Sequence, residues 1–334
     1  MSLYLAGVDV GGTKIQVVVT SPELDVIGES RGPTPTSGGP PAVVDALCTL
    51  LEEARLAAEV DRVAAIGVGA PGTIEKATGV VARSPNLAGW TDPFPLGPEL
   101  GRRTGAKVTV DNDVHAGMLG ELRLGAARGL HDVLGVWFGT GVGGAVVLDG
   151  VLRSGPHGAC GEIGHVCVRI GGRRCGCGRR GCLEAYAGRA SMERRARRLL
   201  AEGRRTDLFR IMEHRGLDHL TSGVFARALA AGDDLAQDLI DEAVDAAGSG
   251  IASVVNVLDV EAVVIGGGLG TRLGEPFVSR IAAAMQPHLF VSGGARVLPA
   301  GLGDLAGALG GAVAASELAP ARRRPRPRAA TTTV

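Results

Sequence analysis

GVDVGGTKIQVVV, residues 7–19, and VWFGTGVGGAVVL, residues 136–148, share one plan. Each begins in a short apolar run, turns at glycine and threonine, and continues as a second apolar run. The tight turn sends that second run back antiparallel to the first. Two copies of one strand–turn–strand unit imply an internal duplication, with one copy in each of two α/β domains. A length of 334 residues exceeds one typical domain and suits two that share a cleft.

Around the first unit, residues 24–31 predict a third strand and 32–41 a loop rich in Pro, Gly, Ser and Thr. Residues 42–59 carry apolar positions at helical spacing, and RVAAIGVG (62–69) is a continuous run of buried-strand type. AKVTVD (106–111) is a further strand, after which Asn112 and Asp113 open a helix to about Leu124. Around the second unit, strands fall at 132–138 and 143–149, residues 188–257 are mostly helical, and EAVVI (261–265) feeds Gly266-Gly267-Gly268. ARRRPRPRAATTTV (321–334) has no periodicity and predicts a disordered tail.

Apolar residues make up 45% of the chain but aromatics only 3%, so the cores must be built from Val, Leu, Ile and Ala. A formal net charge of zero gives no reason to expect nucleic acid or an anionic membrane as partner. The opening MSLYLAGVDV lacks a basic n-region, and Asp9 interrupts its apolar run, so no signal peptide is expected. No apolar stretch is long enough to span a bilayer, and the reading is of a cytoplasmic protein. Lysine occurs only at 14, 76 and 107, which singles out Lys14 inside its glycine motif.

Three nucleotide motifs compete for the glycine turns. Gly7 to Lys14 approaches a Walker A loop but places Thr before Lys and leads into a strand. Gly139, Gly141 and Gly144 match G-x-G-x-x-G, yet AVVLDG after them is β-like where a dinucleotide site needs a helix. A phosphate clamp of two β-turns survives: Gly11, Gly12 and Thr13 in one, Gly139, Thr140, Gly141 and Gly143 in the other. Glycines let backbone N–H groups approach phosphate oxygens, and the threonine hydroxyls add donors. Asp9 stands where it could hold Mg²⁺ on those phosphates. A single such turn would read as an ordinary hairpin. Two matched turns, an early Asp and a third glycine cluster favour the clamp.

Five of the six cysteines crowd between Cys160 and Cys182. His165, Cys175, Cys177 and Cys182 supply one imidazole and three thiolates, a full tetrahedral shell that points to structural Zn²⁺ in a zinc loop over 165–182. A redox dithiol is the rival, but C-x-C is not its usual spacing. Cys160 and Cys167 read as small buried hydrophobes. Asp113, taken alone, reads as a helix N-cap. Glu162 and Glu184 flank the zinc loop, which suits rigid hydrogen bonding to sugar hydroxyls.

DVGGTK (9–14), DND (111–113), GTGVGG (139–144), GEIGH (161–165), CGCGRRGCLE (175–184) and IGGG (265–268) together resemble the ROK family of sugar kinases and sugar-responsive repressors. The order and spacing hold over residues 3–318, and bacterial ROK glucokinases show the nearest pattern. The resemblance implies an actin-like ATPase fold of ribonuclease-H-like topology. Its small domain would be 1–112 plus 303–318 and its large domain 113–301, on either side of a cleft. It implies phosphoryl transfer from ATP with Mg²⁺ to the 6-hydroxyl of a hexose, glucose first, with Asp113 as base. Asn112, Glu162, His165 and Glu184 would hold the ring, with Gly72 and Asn86 lining the pocket, and His165 would give one nitrogen to zinc and one to sugar. Lys14 belongs to the phosphate clamp, and Gly266, Gly267 and Gly268 would face adenosine. Family members are commonly dimers or tetramers, so a homo-oligomer is expected. Two departures stand out: Val114-His115-Ala116 replaces the family's usual run after the DND strand, and Ala145 stands where a further Gly is common.

Kinases for N-acetylmannosamine, fructose or allose share most of these residues, as does a non-catalytic sugar sensor. A repressor would need a helix-turn-helix segment, and only eight residues precede Asp9. Chaperone or cytoskeletal ATPases of the same fold would have no use for the zinc loop. Polyphosphate is the rival phosphoryl donor, with ATP expected because polyphosphate-using relatives typically lack that loop.

Overall fold

Two sheets of identical plan carry the molecule, and the duplicated units form the heart of each. The computed structural model describes residues 3–84 and 86–318, and the tail expected at 321–334 lies outside them. The first half supplies β1 (Leu5–Val10), β2 (Lys14–Thr20), β3 (Val26–Pro33), α1 (Gly39–Ala57), β4 (Ala65–Ala70), β5 (Thr73–Glu75), β6 (Val80–Arg83), α2 (Leu96–Thr104) and β7 (Lys107–Asn112). The first sheet has the order β3-β2-β1-β4-β7. The turn at Gly11–Thr13 folds β2 back on β1 so that Val10 faces Ile15, while β4 and β7 join parallel.

The chain continues through α3 (Asp113–Leu124), β8 (Val133–Phe138), β9 (Val142–Leu148), β10 (Val151–Arg153), α4 (Glu184–Ala187), α5 (Arg189–Ala201), α6 (Leu208–His214), α7 (Ser222–Ala230), α8 (Asp234–Leu258), β11 (Ala262–Gly266), α9 (Gly267–Met285), β12 (Arg296–Pro299) and α10 (Ala306–Leu318). The second sheet, β10-β9-β8-β11-β12, repeats the first: an antiparallel hairpin extended by parallel strands. Helix α1 starts earlier than its apolar spacing suggests. Left-handed Gly38 precedes it, and Pro40 and Pro41 fit its first turn, where no N–H is needed.

Each sheet has its own core. Val8, Ile15, Val17 and Ile66 pack with Val43, Leu47 and Leu51 of α1. Val136 and Phe138 of β8 pack with the buried faces of α5 to α9. On the other face of the second sheet lies α3, whose Met118 joins Val133, Val147 and Val264.

Helix α10 crosses α3 and covers the first sheet. Glycine makes the crossing possible. A Cβ on Gly310 would fall on the Ala116 carbonyl, and a Cβ on Gly7 or Gly67 on the carbonyls of Ala308 or Gly311. Glu121, fully buried, accepts from the backbone N–H groups of Ala126 (2.7 Å), Gly301 (2.9 Å) and Leu302 (2.9 Å). Three charge-assisted bonds keep that carboxylate satisfied and tie the end of α3 to the segment leading into α10. Among the described residues, no helix is long and apolar enough to cross a membrane.

Candidate active site

Asp113 opens α3 directly after the last residue of β7, which puts its carboxylate at the C-terminal edge of the first sheet. Its expected role as the N-cap falls instead to Asn112. The Asn112 Oδ1 accepts from the backbone N–H of Val114 (2.9 Å) and His115 (3.3 Å), while its Nδ2 donates to the Gly72 carbonyl (3.3 Å). The reason is conformational: Asn112 keeps the extended backbone of a cap, whereas Asp113 is already helical. Asp113 Oδ1 accepts from Val114 N–H at 3.0 Å. Gly72, at φ 109°, lies against the Arg83 carbonyl, where no Cβ could fit.

Asp113 belongs to a set of three interacting carboxylates. Burial raises its pKa, and the charge of Glu162 raises it further, against its bond to the Val114 amide. Asp9 is pushed up to about 7, first by burial and then by Asp113, with Lys14 opposing. Carboxyls this reluctant to ionise side by side suit a cation between them, so Asp9 fits a residue that holds Mg²⁺. Lys14 itself pairs with Asp304, ahead of α10, at 2.8 Å.

The first glycine turn abuts Asn86, since a Cβ on Gly12 would come within 3.1 Å of the Asn86 carbonyl. The second turn abuts α3, because a Cβ on Gly143 would meet Val114 Cγ2 at 2.6 Å. Gly266–Gly268 form the mouth between β11 and α9, where left-handed Gly267 lies against the Phe138 backbone.

His165, Cys175, Cys177 and Cys182 converge, with ligand atoms all within 4.8 Å of one another. The Cys177 and Cys182 sulfurs are 3.8 Å apart, and Cys175 Sγ lies 3.9 Å from His165 Nδ1. A tetrahedron with Zn–S bonds of about 2.3 Å has S···S edges of about 3.8 Å, so the set fits the ion. Burial pushes the Cys175 thiol up to about 12, so a cation is what would let that sulfur carry charge. The other ring nitrogen of His165 faces Glu162, at 3.9 Å. Glu184 sits between the loops: its Oε2 accepts from Val142 N–H (3.1 Å) in the second turn and its Oε1 from the Cys175 thiol (3.5 Å). Cys182 and Cys175 are buried, but Cys167, expected to be a buried hydrophobe, is exposed and opposes Cys182 across the loop.

Residues 114–116, where the sequence leaves the family pattern, carry a contact that the sequence did not announce. His115, only 5% exposed, has Nδ1 at 3.2 Å from Asp111 Oδ1 and Nε2 at 3.4 Å from the Cys160 carbonyl. Lys76 reaches the other Asp111 oxygen at 2.6 Å. Burial works against the Asp111 carboxylate, but hydrogen bonds from His115 and Lys76 overcome it and hold its pKa down to about 2. His115 thus links the strand before Asp113 to the loop that carries Glu162 and His165.

A model of the ROK family matches residues 5–317. The chain belongs to the ROK family. It is 34% identical over 321 residues to a glucokinase of Thermotoga maritima, covering 93% of this chain and 96% of that protein. Among solved structures, it is similar to a ROK family glucokinase from Streptomyces griseus in complex with glucose and AMPPNP. That similarity has a TM-score of 0.80 and 32% identity, covering 94% of this chain and 99% of the other. It is also similar to a ROK hexokinase from Thermus thermophilus, with a TM-score of 0.76 and 34% identity over 95% of this chain and 99% of that one. As a ROK protein of these sheet orders, it has the actin-like ATPase fold of ribonuclease-H-like type.

Proposed function

We propose that the protein is an ATP-dependent hexokinase that converts glucose to glucose 6-phosphate. One observation carries the reading: Asp113 feels the charge of Asp9, in the strand that leads into the first glycine turn, on one side and that of Glu162, just ahead of the zinc loop, on the other. A phosphate site and a hydroxyl-binding site thus share a carboxylate. The glucokinases it resembles support glucose over other hexoses.

The hexose 6-hydroxyl oxygen attacks the γ-phosphorus of ATP, the bond from phosphorus to the β–γ bridging oxygen breaks, and ADP leaves. Asp113 orients the hydroxyl and takes its proton, a task that suits a carboxylate with a raised pKa. Glu162 and His165 accept and donate hydrogen bonds to the ring, with Asn112 and Glu184 at its margins and Gly72 and Asn86 closing the pocket. The amides of Gly11–Thr13 and Gly139–Gly143 cradle the phosphates. Asp9 would hold Mg²⁺, which would supply charge neutralisation on the phosphates when bound. The small domain (1–112 with 303–318) and the large domain (113–301) close over the substrates and keep water out.

A coupled assay of ADP release across glucose, mannose, fructose, allose and N-acetylmannosamine tests the reading. Glucose should give the largest kcat/KM. If no hexose stimulated ATP turnover, the kinase assignment would fall. If N-acetylmannosamine dominated, only the substrate would change.

The zinc has its own test. Metal analysis should find close to one zinc per chain, and Cys182→Ser should lose it. That variant should raise KM for glucose by about tenfold or more, because Glu162 and His165 then hang on an unpinned loop. Freshly purified protein without zinc would refute the metal assignment.

A further inference from the structure

The guanidinium of Arg189 has contacts but no counter-charge. Its two terminal nitrogens donate to the Thr140 hydroxyl (2.9 Å), in the second glycine turn, and to the Ser222 hydroxyl (3.4 Å), which opens α7. Among the described residues, no carboxylate pairs with it. The acidic group that acts on it, Glu193, is already held by Arg197 at 2.6 Å and by the Leu220 N–H at 2.8 Å. Arg189 also opens α5, so it stands at the positive end of a helix dipole, the wrong end for a cation. Burial pulls the guanidinium below its ordinary range. A half-buried cation with only neutral hydroxyls as partners, beside further positive potential, is an arrangement that an anion would relieve.

The surroundings identify the anion. The backbone N–H groups of Arg189 and Ala190 donate to the carbonyls of Gly139 (3.1 Å) and Thr140 (3.0 Å), which ties the second glycine turn to the start of α5. A Cβ on Gly268 would lie 3.5 Å from Ser222 Oγ, which brings the β11–α9 mouth to the same spot. Meanwhile the lysines are committed elsewhere: Lys14 to Asp304 (2.8 Å), Lys76 to Asp111 (2.6 Å) and Lys107 to the Leu318 carbonyl (3.3 Å). Arg189, by contrast, stands beside a glycine turn with no carboxylate pairing it among the described residues. Its forked donors match phosphate oxygens better than a point charge does.

We propose that Arg189 binds the phosphate chain of the nucleoside triphosphate, bridging the second glycine turn and the Gly266–Gly268 mouth. This rests on the reading of ATP as donor and adds to it a residue that acts on the phosphates rather than on adenosine.

The test is calorimetric binding of ATP, ADP and adenosine to full-length wild type, Arg189→Gln and Arg189→Lys, with Mg²⁺ present. The Gln variant should lose about tenfold or more in ATP affinity, less in ADP affinity, and under about twofold in adenosine affinity. The Lys variant should recover part of the ATP loss, KM for glucose should stay within about twofold in both, and both should melt near the wild type. Equal losses for ATP and adenosine would make Arg189 a prop for the turn and overturn the proposal. So would wild-type ATP binding that Arg189→Gln leaves unchanged, with the donor reading intact. A wild type that binds no adenine nucleotide would overturn both.

Discussion

Asp113→Asn is expected to lower kcat by about 10²- to 10⁴-fold, the range for loss of a positioned general base. KM for glucose should move little, because Asn can still accept a hydrogen bond from the 6-hydroxyl. Stability should also hold, since Asn112 and not Asp113 caps α3. The pH profile separates this role from a structural one. Burial and then the Glu162 charge raise the Asp113 pKa, so the base is lost as pH falls through a value above the usual carboxylate range. The wild type should therefore show an acid limb in kcat within that raised range, and the residual rate of the variant should lack it. A variant that keeps full activity would remove Asp113 from the mechanism.

Asp9→Asn is expected to move activity and stability in opposite directions. The folded protein holds the Asp9 proton up to about pH 7, against 3.8 for the ordinary group. Between those values the native state binds more protons than the unfolded chain, so its stability falls as pH rises through that window. Above it the whole penalty is present. Asn removes the charge while keeping the shape. In metal-free protein at pH 8 the variant should therefore be more stable, by roughly 1–3 kcal/mol because the side chain keeps some solvent contact. The gain should vanish near pH 3.8. Adding Mg²⁺ should stabilise the wild type and leave the variant unmoved, and turnover should drop by at least about 100-fold. Thermal melts at two pH values with and without Mg²⁺ suffice, and equal melting of both proteins at pH 8 would refute the account.

The repeat of GVDVGGTKIQVVV as VWFGTGVGGAVVL made both sheets legible, because strand alternation and a glycine turn are local signals. What stayed hidden depends on packing. Strand β5 has three residues and β6 four, too few for a pattern. Helix α9 contains Gly274 in a non-helical conformation and Pro276, which read as breakers. It is held by the burial of Leu269, Phe277, Ile281 and Met285. In the site, glycines and cysteines reported themselves through spacing. His115 and Arg189 did not, since their partners at Cys160, Thr140 and Ser222 lie far away in the chain. Lys14, singled out by its rarity, proved to be paired with Asp304. That partner lies in the segment before α10, and no local motif marks it.

The crossing of α10 over α3 has a consequence for biosynthesis. The first sheet leaves the ribosome early, but Gly7 and Gly67 present bare backbone on the face that Ala308 and Gly311 cover. Strands β8 to β12 are all made before α10 emerges, so the later sheet can gather its own core while the earlier one waits. Synthesis order and completion order run opposite ways, and a chain halted before residue 306 would leave its oldest sheet unfinished.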